Sequence, residues 1–328
     1  MENQPQVTIL MATYNGASYL VEQLDSLLLQ TYTNWKLVIR DDGSTDGTLS
    51  VITDYIKKDE RISLNYHGDV HGAACTNFAQ LSDWALANDA GLVMFADQDD
   101  IWKNNKIAVS VASIIEMQKQ HGDTVPLLCY SNFQFINEKG EELPQKLALP
   151  AALELRVLLN ENHAWGCTMI LNRLALEAVV PIPATAVNHD YWIALVISAL
   201  GKTKLINQDL ILYRQHTNNV SGNVDNMSFA KRFNRYVADQ SYMIGPLTAN
   251  LNTVALFYAR YQDRLSDYDQ KMVSAFISSY QKGFIPLLAA LFKYRIFKLG
   301  AAKNAVYFYT LLLLQKKVAG QANLYPKP

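Results

Sequence analysis

Cysteine, net charge and long apolar runs are all scarce in this chain of 328 residues, and each scarcity excludes a class of protein. The three cysteines, Cys75, Cys129 and Cys167, lack paired spacing, which disfavours a disulfide framework and fits a reducing, cytoplasmic compartment. A formal net charge of −1 provides no overall field for a polyanion, so we expect no nucleic-acid partner. The apolar stretches 284–292 and 305–314 are about half the ~20 residues that a spanning helix needs, and the polar opening does not resemble an export signal.

Half of the residues are hydrophobic and 18% are charged, which is typical of a chain that folds around a sizeable core. Over the first 130 residues, short runs rich in β-branched residues alternate with helical patterns, and this alternation predicts an α/β fold. The predicted strands are 7–12, 36–40, 62–66, 91–96, 127–135, 167–171, 203–207 and 210–214. The predicted helices are 18–29, 48–57, 77–87, 103–119 and 190–200.

The sequence after residue 228 has a helical pattern and an uneven distribution of charge. Residues 282–317 contain seven basic side chains and no acidic one, so they carry +7 and leave −8 for the rest of the chain. Because Phe, Leu and Tyr are interleaved with these charges, the helices either lie on an anionic membrane surface or form a subdomain with a solvated basic face. We therefore predict two units, residues 1–225 and residues 226–328.

The segment Asp97–Asp100, directly after the fourth predicted strand, holds three carboxylates in four residues. Ligands of open parallel sheets bind at the carboxyl ends of the strands, so this position is informative. The carboxylates repel one another unless a cation or a solvated turn relieves the repulsion, and oxygen ligands at this density suit Mg²⁺ or Mn²⁺. The alternative, an acidic surface turn that caps the next helix, accounts for one Asp but not for three.

The turn 41–47, after the second predicted strand, is rich in Gly and Asp. Asp42, Ser44 and Asp46 match the first positions of a calcium loop, but Thr53 stands where Glu is needed and a strand precedes the turn, so calcium is disfavoured. The turn instead offers a carboxylate acceptor for the N–H of a pyrimidine base. An ordinary strand-to-helix turn is the alternative.

Three segments, Thr13–Gly16, Asp41–Thr48 and Asp97–Trp102, resemble in order and separation the inverting glycosyltransferases of family 2, which have the GT-A fold. The match extends through 165–168, 188–192 and 213–216, so it covers roughly residues 5–220. Within the family, this set is most similar to bacterial rhamnosyltransferases that use dTDP-L-rhamnose to build surface polysaccharides. The resemblance implies a mixed, mostly parallel sheet flanked by helices, with a helical C-terminal region.

The resemblance also implies roles for particular residues. Asp190 would be the catalytic base, although Asn188–Asp190 is also typical of a helix N-cap. The nucleotide would contact Thr13, Tyr14, Asn15, Asp41, Asp42 and Asp97. The metal, Mg²⁺ or Mn²⁺, would be held by Asp99 and His216, and the acceptor or diphosphate side would be formed by Trp165, Gly166, Cys167 and Arg214. An exposed loop histidine and ordinary core packing are the alternatives for His216 and Trp165.

The predicted reaction is the transfer of L-rhamnose to a lipid-linked saccharide by a peripheral protein at the inner face of the cell membrane. A UDP-hexose donor is the near alternative, since uracil and thymine share the same N–H and carbonyl edge. A non-catalytic nucleotide-sugar-binding protein is the third hypothesis, and a homo-oligomer is compatible with all three. The Gln-x-x-Arg-Trp motif and the membrane spans of processive family members are missing, which favours a single addition.

Overall fold

The computed structural model describes residues 4–68, 74–217 and 241–324. Its described strands form one sheet with the order β3-β2-β1-β4-β7-β6-β8-β5. The strands are β1 Val7–Thr13, β2 Trp35–Asp41, β3 Ile62–His67, β4 Leu92–Ala96, β5 Ile101–Trp102, β6 Leu127–Ile136, β7 Met169–Asn172 and β8 Lys202–Arg214. The pairs β1–β2, β2–β3, β1–β4 and β6–β8 are parallel, whereas β7 and β5 pair with their neighbours in the antiparallel direction. The sheet is therefore mixed and mostly parallel, as expected.

Helices cover both faces of this sheet and continue beyond it. They are α1 Ala17–Leu28, α2 Thr48–Lys58, α3 Ala74–Ala87, α4 Lys106–His121, α5 Leu155–Leu158, α6 Arg173–Val179, α7 His189–Leu200, α8 Ser241–Tyr261, α9 Asp267–Lys282, α10 Phe284–Tyr294 and α11 Ala301–Gln321. In α1 the buried residues Leu20, Leu24 and Leu27 recur at helical spacing and define the face that packs on the sheet.

Two predicted strands and one predicted helix differ clearly from the structure. The predicted strands 203–207 and 210–214 form the single strand β8. The register of β8 against β6 shifts between Ser131 and Asn132, so the polar residues between the two predicted strands form a bulge. The predicted helix 103–119 begins only at Lys106, since Ile101–Trp102 pairs with β8 as the short edge strand β5. A two-residue strand carries no periodic signal, which is why the sequence did not predict it.

Alternating side chains of the strands divide the interior into two hydrophobic cores. Ile9 and Met11 of β1 pack into one core together with residues of α1, α2 and α4. Leu10, between them, faces the other core, which contains residues of α3, α6 and α7 and also of the C-terminal helices α8 to α11. The C-terminal helical region thus packs on one side of the sheet.

Hydrogen bonds connect the C-terminal helices with the segment after β6. Asn160 accepts from the hydroxyl of Tyr307 at 2.6 Å and donates to the carbonyl of Ile296 at 3.0 Å. The predicted boundary between residues 225 and 226 lies outside the described residues, and the division into two domains stays a prediction. In the described part of the chain, no helix combines the length and the apolar character needed to cross a bilayer.

The parallel register brings three polar segments to one edge of the sheet. Thr13 at the end of β1 lies opposite Asp41 at the end of β2, and Met11 lies opposite Ala96 at the end of β4. The residues that follow these strands, 13–16, 41–47 and 97–100, therefore meet at the carboxyl edge, where ligands of such sheets bind.

Candidate active site

A buried carboxylate connects the first two of these segments. Asp41 Oδ2 accepts from the hydroxyl of Thr13 at 2.7 Å and from that of Ser44 at 2.6 Å, and Asp41 Oδ1 accepts from Ser44 N at 2.8 Å and lies 3.0 Å from His67 Nδ1. Burial alone would raise the pKa of Asp41, but these hydrogen bonds together lower it. Asp41 is thus a fixed negative charge at the carboxyl edge of the sheet, and its predicted contact with a base stays a prediction.

Hydrogen bonds connect the turn 41–47 with the turn 13–16. Asn15, with a positive φ of 46°, donates its N–H to Ser44 Oγ at 2.8 Å, and Gly16 donates to Thr48 Oγ1 at 2.8 Å. Asp46 Oδ1 accepts from Thr48 N at 2.9 Å. The polar residues that resembled a calcium loop therefore fix one loop to another. Asp42 is buried beside them, and its nucleotide contact stays a prediction.

Gln98 joins the acidic segment to the first turn. Its side chain accepts from Tyr14 N at 2.9 Å and donates to Tyr14 O at 3.0 Å. A Cβ at Gly16 would come within 2.2 Å of Gln98 Oε1, so glycine leaves the room for this contact. Tyr14 itself is 47% exposed, and its predicted nucleotide contact stays a prediction.

Asp99 and His216, the two predicted metal ligands, lie side by side. Asp99 Oδ2 and His216 Nε2 are 2.7 Å apart, and the imidazole stacks on the ring of Tyr19 with 5.0 Å between the ring centroids. Burial, together with the charges of Asp99 and Asp190, raises the pKa of Asp97. A divalent cation would relieve this repulsion, and carboxylates are the donors that Mg²⁺ and Mn²⁺ prefer, so the residues present fit such an ion.

A buried lysine lies under the acidic segment. The side chains of Asp97, Asp100 and Cys167 approach one another within 4.8 Å, and burial raises the pKa of the Cys167 thiol, which therefore stays protonated. The Lys106 ammonium donates to the carbonyl of Cys167 and lies 3.3 Å from the Trp102 ring centroid. Burial lowers the pKa of Lys106 to about 7, while the nearby carboxyls oppose this shift. A protonated thiol is a poor ligand for a hard cation, so this inner group supports the segment rather than replacing Asp99 as a metal ligand.

Arg214 is buried and holds the acidic segment from the other side. Its backbone N–H donates to Asp100 Oδ1 at 3.1 Å, its Nε donates to the carbonyl of Asp99 at 2.8 Å, and its guanidinium pairs with Glu22 at 2.8 Å. These bonds position the backbone of the acidic segment. The predicted contact of Arg214 with a diphosphate stays a prediction.

Asp190 stands in the first turn of α7 with one carboxylate oxygen available. Its Oδ2 accepts from the N–H of Gly166 at 3.1 Å, whereas its Oδ1 is buried and has no hydrogen-bond partner among the described residues. Burial raises the pKa of Asp190 to about 6, although the Gly166 bond lowers it. Gly166 directly precedes Cys167, whose thiol lies within 4.8 Å of the carboxyls of Asp97 and Asp100, so Asp190 lies close to the acidic segment. A carboxylate with this pKa and an unused oxygen can accept a proton near neutral pH.

Comparison with known proteins decides the family. The profile of Glycosyl transferase family 2 matches residues 8–177, which is more than half of the chain. The chain belongs to this family. The strands β2 to β4, the acidic segment and Gly166 lie within the matched range, which begins at the second residue of β1, and Asp190 and His216 lie beyond it.

This family 2 glycosyltransferase is similar to several curated bacterial proteins. It is 26% identical to the putative teichuronic acid biosynthesis glycosyltransferase TuaG of Bacillus subtilis, over 67% of this chain and 83% of that protein. It is 29% identical to the Escherichia coli UDP-Glc:alpha-D-GlcNAc-diphosphoundecaprenol beta-1,3-glucosyltransferase WfgD, over 66% of this chain and 80% of that protein. It is 25% identical to the dTDP-rhamnosyl transferase RfbG of Shigella flexneri, over 69% and 77% of the two chains.

Solved structures agree on the fold. S. aureus TarS 1-349 in complex with UDP-GlcNAc superposes with a TM-score of 0.54 at 16% identity, over 98% of this chain and 93% of TarS. The mannosyltransferase PcManGT of Pyrobaculum calidifontis, in complex with GDP-Man and Mn²⁺, superposes with a TM-score of 0.52 at 17% identity, over the whole of this chain and 89% of PcManGT. The predicted α/β GT-A fold with a helical C-terminal region is confirmed.

The glycosyltransferase positions Asp190 through Gly166, which the sequence analysis placed on the acceptor or diphosphate side, and through His189, to which it assigned no role. A Cβ at Gly166 would come within 2.3 Å of His189 Nε2, so only glycine lets this turn approach α7 and donate to Asp190. The His189 ring stacks on Phe78 with 4.0 Å between ring centroids, and burial lowers its pKa to about 3, so it stays neutral. Trp165, next to Gly166, is half-buried against Phe133, and its acceptor-side role stays a prediction, as do those of Gly166 and Cys167.

Gln98 and Lys106 were also missed by sequence reasoning. Gln98 carried a weak signal, because it is the uncharged polar residue inside an otherwise acidic run. Lys106 carried none, since a lysine near the start of a helix is ordinarily exposed.

Proposed function

We propose that this glycosyltransferase transfers L-rhamnose from dTDP-L-rhamnose to a lipid-linked saccharide, with inversion, in the synthesis of a bacterial surface polysaccharide. The observation that carries the proposal is the environment of Asp190, which is buried beside the acidic segment with one oxygen bonded to Gly166 and the other without a hydrogen-bond partner in the described part of the chain. This arrangement suits a base that faces a donor held at the carboxyl edge of the sheet.

The reaction follows from this placement as one displacement. Asp190 Oδ1 accepts the proton of the acceptor hydroxyl while the oxygen attacks the anomeric carbon of the donor. The new bond from this carbon to oxygen forms as its bond to the diphosphate breaks, and the diphosphate leaves on the opposite face. Attack from that opposite face inverts the anomeric configuration, and no enzyme residue becomes covalently bound.

The donor side is formed by the bonded turns. The exposed ring of Tyr14 stacks on the base, while Asp41 and Gln98 hold the turn around it in position. Asp97, Asp99 and His216 would hold a divalent metal ion, which when bound neutralises charge on the leaving diphosphate. The Mn²⁺ in the PcManGT complex supports this part of the proposal.

The identity of the donor is the finer part of the proposal. RfbG, named as a dTDP-rhamnosyl transferase, supports rhamnose, whereas WfgD, named as a UDP-Glc transferase, supports the alternative of a UDP-hexose. Thymine and uracil differ by one methyl group, and a pocket distinguishes a methyl group by only ~1–3 kcal/mol. Donor specificity therefore depends mainly on the sugar.

Turnover assays separate these possibilities. The protein is incubated with Mn²⁺, a lipid-linked saccharide and dTDP-L-rhamnose, UDP-glucose or UDP-GlcNAc in turn, and the released nucleoside diphosphate is measured. We expect release from dTDP-L-rhamnose that stops on chelation by EDTA and returns with Mn²⁺. Release confined to a UDP-hexose contradicts the rhamnose proposal, and donor binding without release from any donor favours the non-catalytic hypothesis.

A further inference from the structure

The last two helices present an exposed surface in which large apolar side chains and lysines are mixed. Ile285 and Phe292 of α10 are 71% and 58% exposed, and Leu312 of α11 is 57% exposed. Tyr309 and Leu313 of α11 are also exposed. We call this set, with the exposed lysines beside it, the basic apolar surface; it comprises Ile285, Phe292, Lys293, Tyr309, Leu312, Leu313, Lys316 and Lys317.

The apolar members of α10 and α11 adjoin at an aromatic contact. Phe292 of α10 stacks on Phe308 of α11, with 5.7 Å between ring centroids, and Leu312 lies one turn beyond Phe308 on the same helix. The opposite face of α11 is already committed to the core, where Tyr307, Leu311, Leu314 and Val318 are buried. The exposed apolar side chains of α11 therefore form a face that is separate from the face packed in the core.

The lysines of this surface have no carboxylate partner. Lys293, Lys316 and Lys317 make no ion pair within the described ranges, and residues 282–317 contain no Asp or Glu. Lys303, by contrast, pairs with Glu161 at 2.7 Å. The unpaired charges and the apolar patch occur together, so a partner that is both anionic and apolar would complement them.

We propose that the basic apolar surface docks on an anionic lipid bilayer, with α10 and α11 lying in the interface plane. Apolar side chains inserted among acyl chains, with lysines at the level of the anionic headgroups, are the arrangement that such surfaces adopt. A second copy of the chain is the less favourable occupant, because a symmetric contact would set lysines against lysines. The docking is independent of the donor and of the proposed reaction.

Docking in this orientation bears on the acceptor side. Arg156 donates to the carbonyl of Arg295, and Asn160 bonds both Ile296 and Tyr307, so the helices of the surface hold the segment that leads to Gly166. If the proposed function is correct, docking of α10 and α11 connects the bilayer that carries the lipid-linked acceptor with the segment that leads to Gly166 and Asp190.

Co-sedimentation with vesicles tests the docking. The full chain is mixed with vesicles of phosphatidylcholine alone or with 40% phosphatidylglycerol, where the percentage is roughly that of an anionic membrane, and the bound fraction is measured at low and high salt. We expect binding to the anionic vesicles that weakens with salt, and little binding to phosphatidylcholine. Equal binding to both vesicles, or none to either, overturns the proposal.

Two variants and a matched control assign the binding to this surface. Lys316→Gln with Lys317→Gln should lower vesicle binding about tenfold or more, because each lysine near an anionic surface contributes about fivefold. Leu312→Ser with Leu313→Ser should lower it independently of salt. Lys119→Gln with Lys146→Gln, which removes the same charge from exposed positions elsewhere, should leave binding within about twofold. An equal loss in this control, or self-association by sedimentation velocity that the surface variants abolish without any change in vesicle binding, overturns the proposal.

Discussion

The acidic segment at the carboxyl edge of the sheet and the basic apolar surface of α10 and α11 differ in whether their charges have partners within the protein. Around 97–100 the carboxylates are enclosed by fixed partners, with Lys106 beneath them and Arg214 and His216 beside them. Across α10 and α11 three exposed lysines, Lys293, Lys316 and Lys317, make no ion pair with any described carboxylate. The first region is organised by its own side chains, whereas the second requires a partner to be complemented.

This difference separates charges that contribute to the stability of the fold from charges that contribute to association with a partner. Buried charges are costly unless they are bonded, so the residues that surround the acidic segment contribute to stability as well as to the site. Exposed charges contribute little to stability but much to attraction over distances near the Debye length. Substitutions in the two regions should therefore have different signatures, and the following changes measure that difference.

Replacing Asp190 should have the largest effect. Asp190→Asn keeps the size of the side chain and an oxygen for the Gly166 N–H but removes the proton acceptor, so we expect turnover to fall about 10³-fold with donor affinity nearly unchanged. Turnover by nucleotide release and donor affinity by calorimetry measure the two quantities. Asp83→Asn, at an exposed position of α3, is the control and should be near wild type. Near-normal turnover of Asp190→Asn would show that another group is the base.

Removing the buried ammonium should lower stability. Lys106→Met keeps the length and apolar stem but leaves the Cys167 carbonyl without its donor and the carboxyls of Asp97 and Asp100 without a nearby cation. We expect the free energy of unfolding to fall by about 3 kcal/mol, measured by urea titration. Lys103→Met, at an exposed position just before α4, should change it by less than about 0.5 kcal/mol. Similar values for both variants would mean that Lys106 contributes only its apolar stem.

Much of the fold could be predicted from the sequence, because period and turn chemistry are local. The strands β1 to β4 and the helices between them follow directly from short apolar runs and helical spacing. The edge strand β5 and the bulge in β8 could not be predicted, since both depend on pairing between segments that lie far apart in the sequence. Such pairing leaves no local pattern.

Within the candidate site, the sequence located the groups that end strands but not those that support them. Asp99 and His216, which are 117 residues apart, were predicted as a pair from the family resemblance, and they lie 2.7 Å apart. Gln98, Lys106 and His189 support the site through contacts with residues that are distant in the sequence, which composition and spacing do not encode. Sequence therefore predicts chemistry more readily than the packing that positions it.

The substitution Gly166→Ala should have the next largest effect on the free energy of unfolding. Gly166→Ala would bring a Cβ within 2.3 Å of the His189 ring, which is held against Phe78 and cannot move freely. We expect a loss of about 2 kcal/mol in the free energy of unfolding, from overpacking, together with lower turnover as Asp190 shifts. Gly91→Ala is the matched control, because no atom lies within 4 Å of its added Cβ. If both variants unfold at the same urea concentration, the turn is looser than the geometry indicates.

The acidic limb of the pH profile should reflect the buried base. Proton removal needs ionised Asp190, and burial raises the pKa of this carboxyl to about 6, so kcat/KM should be half-maximal near pH 6 and fall about tenfold for each unit below it. An ordinary exposed Asp would instead place the limb near pH 4. Donor binding measured over the same pH range separates protonation of the base from changes at the nucleotide side. A limb near pH 4 with constant donor binding would contradict the assignment.

The smallest effect on stability is expected at the basic apolar surface. Lys316→Gln with Lys317→Gln removes two exposed charges that no carboxylate balances, so the free energy of unfolding should change by less than about 0.5 kcal/mol, and relief of repulsion would make the change stabilising. The same double variant should lose most of its binding to anionic vesicles. Urea titration and vesicle co-sedimentation on one preparation measure both quantities. A loss of stability comparable to that of Lys106→Met would mean that these lysines, like Lys106, are held by the protein itself, and the contrast between the two regions would disappear.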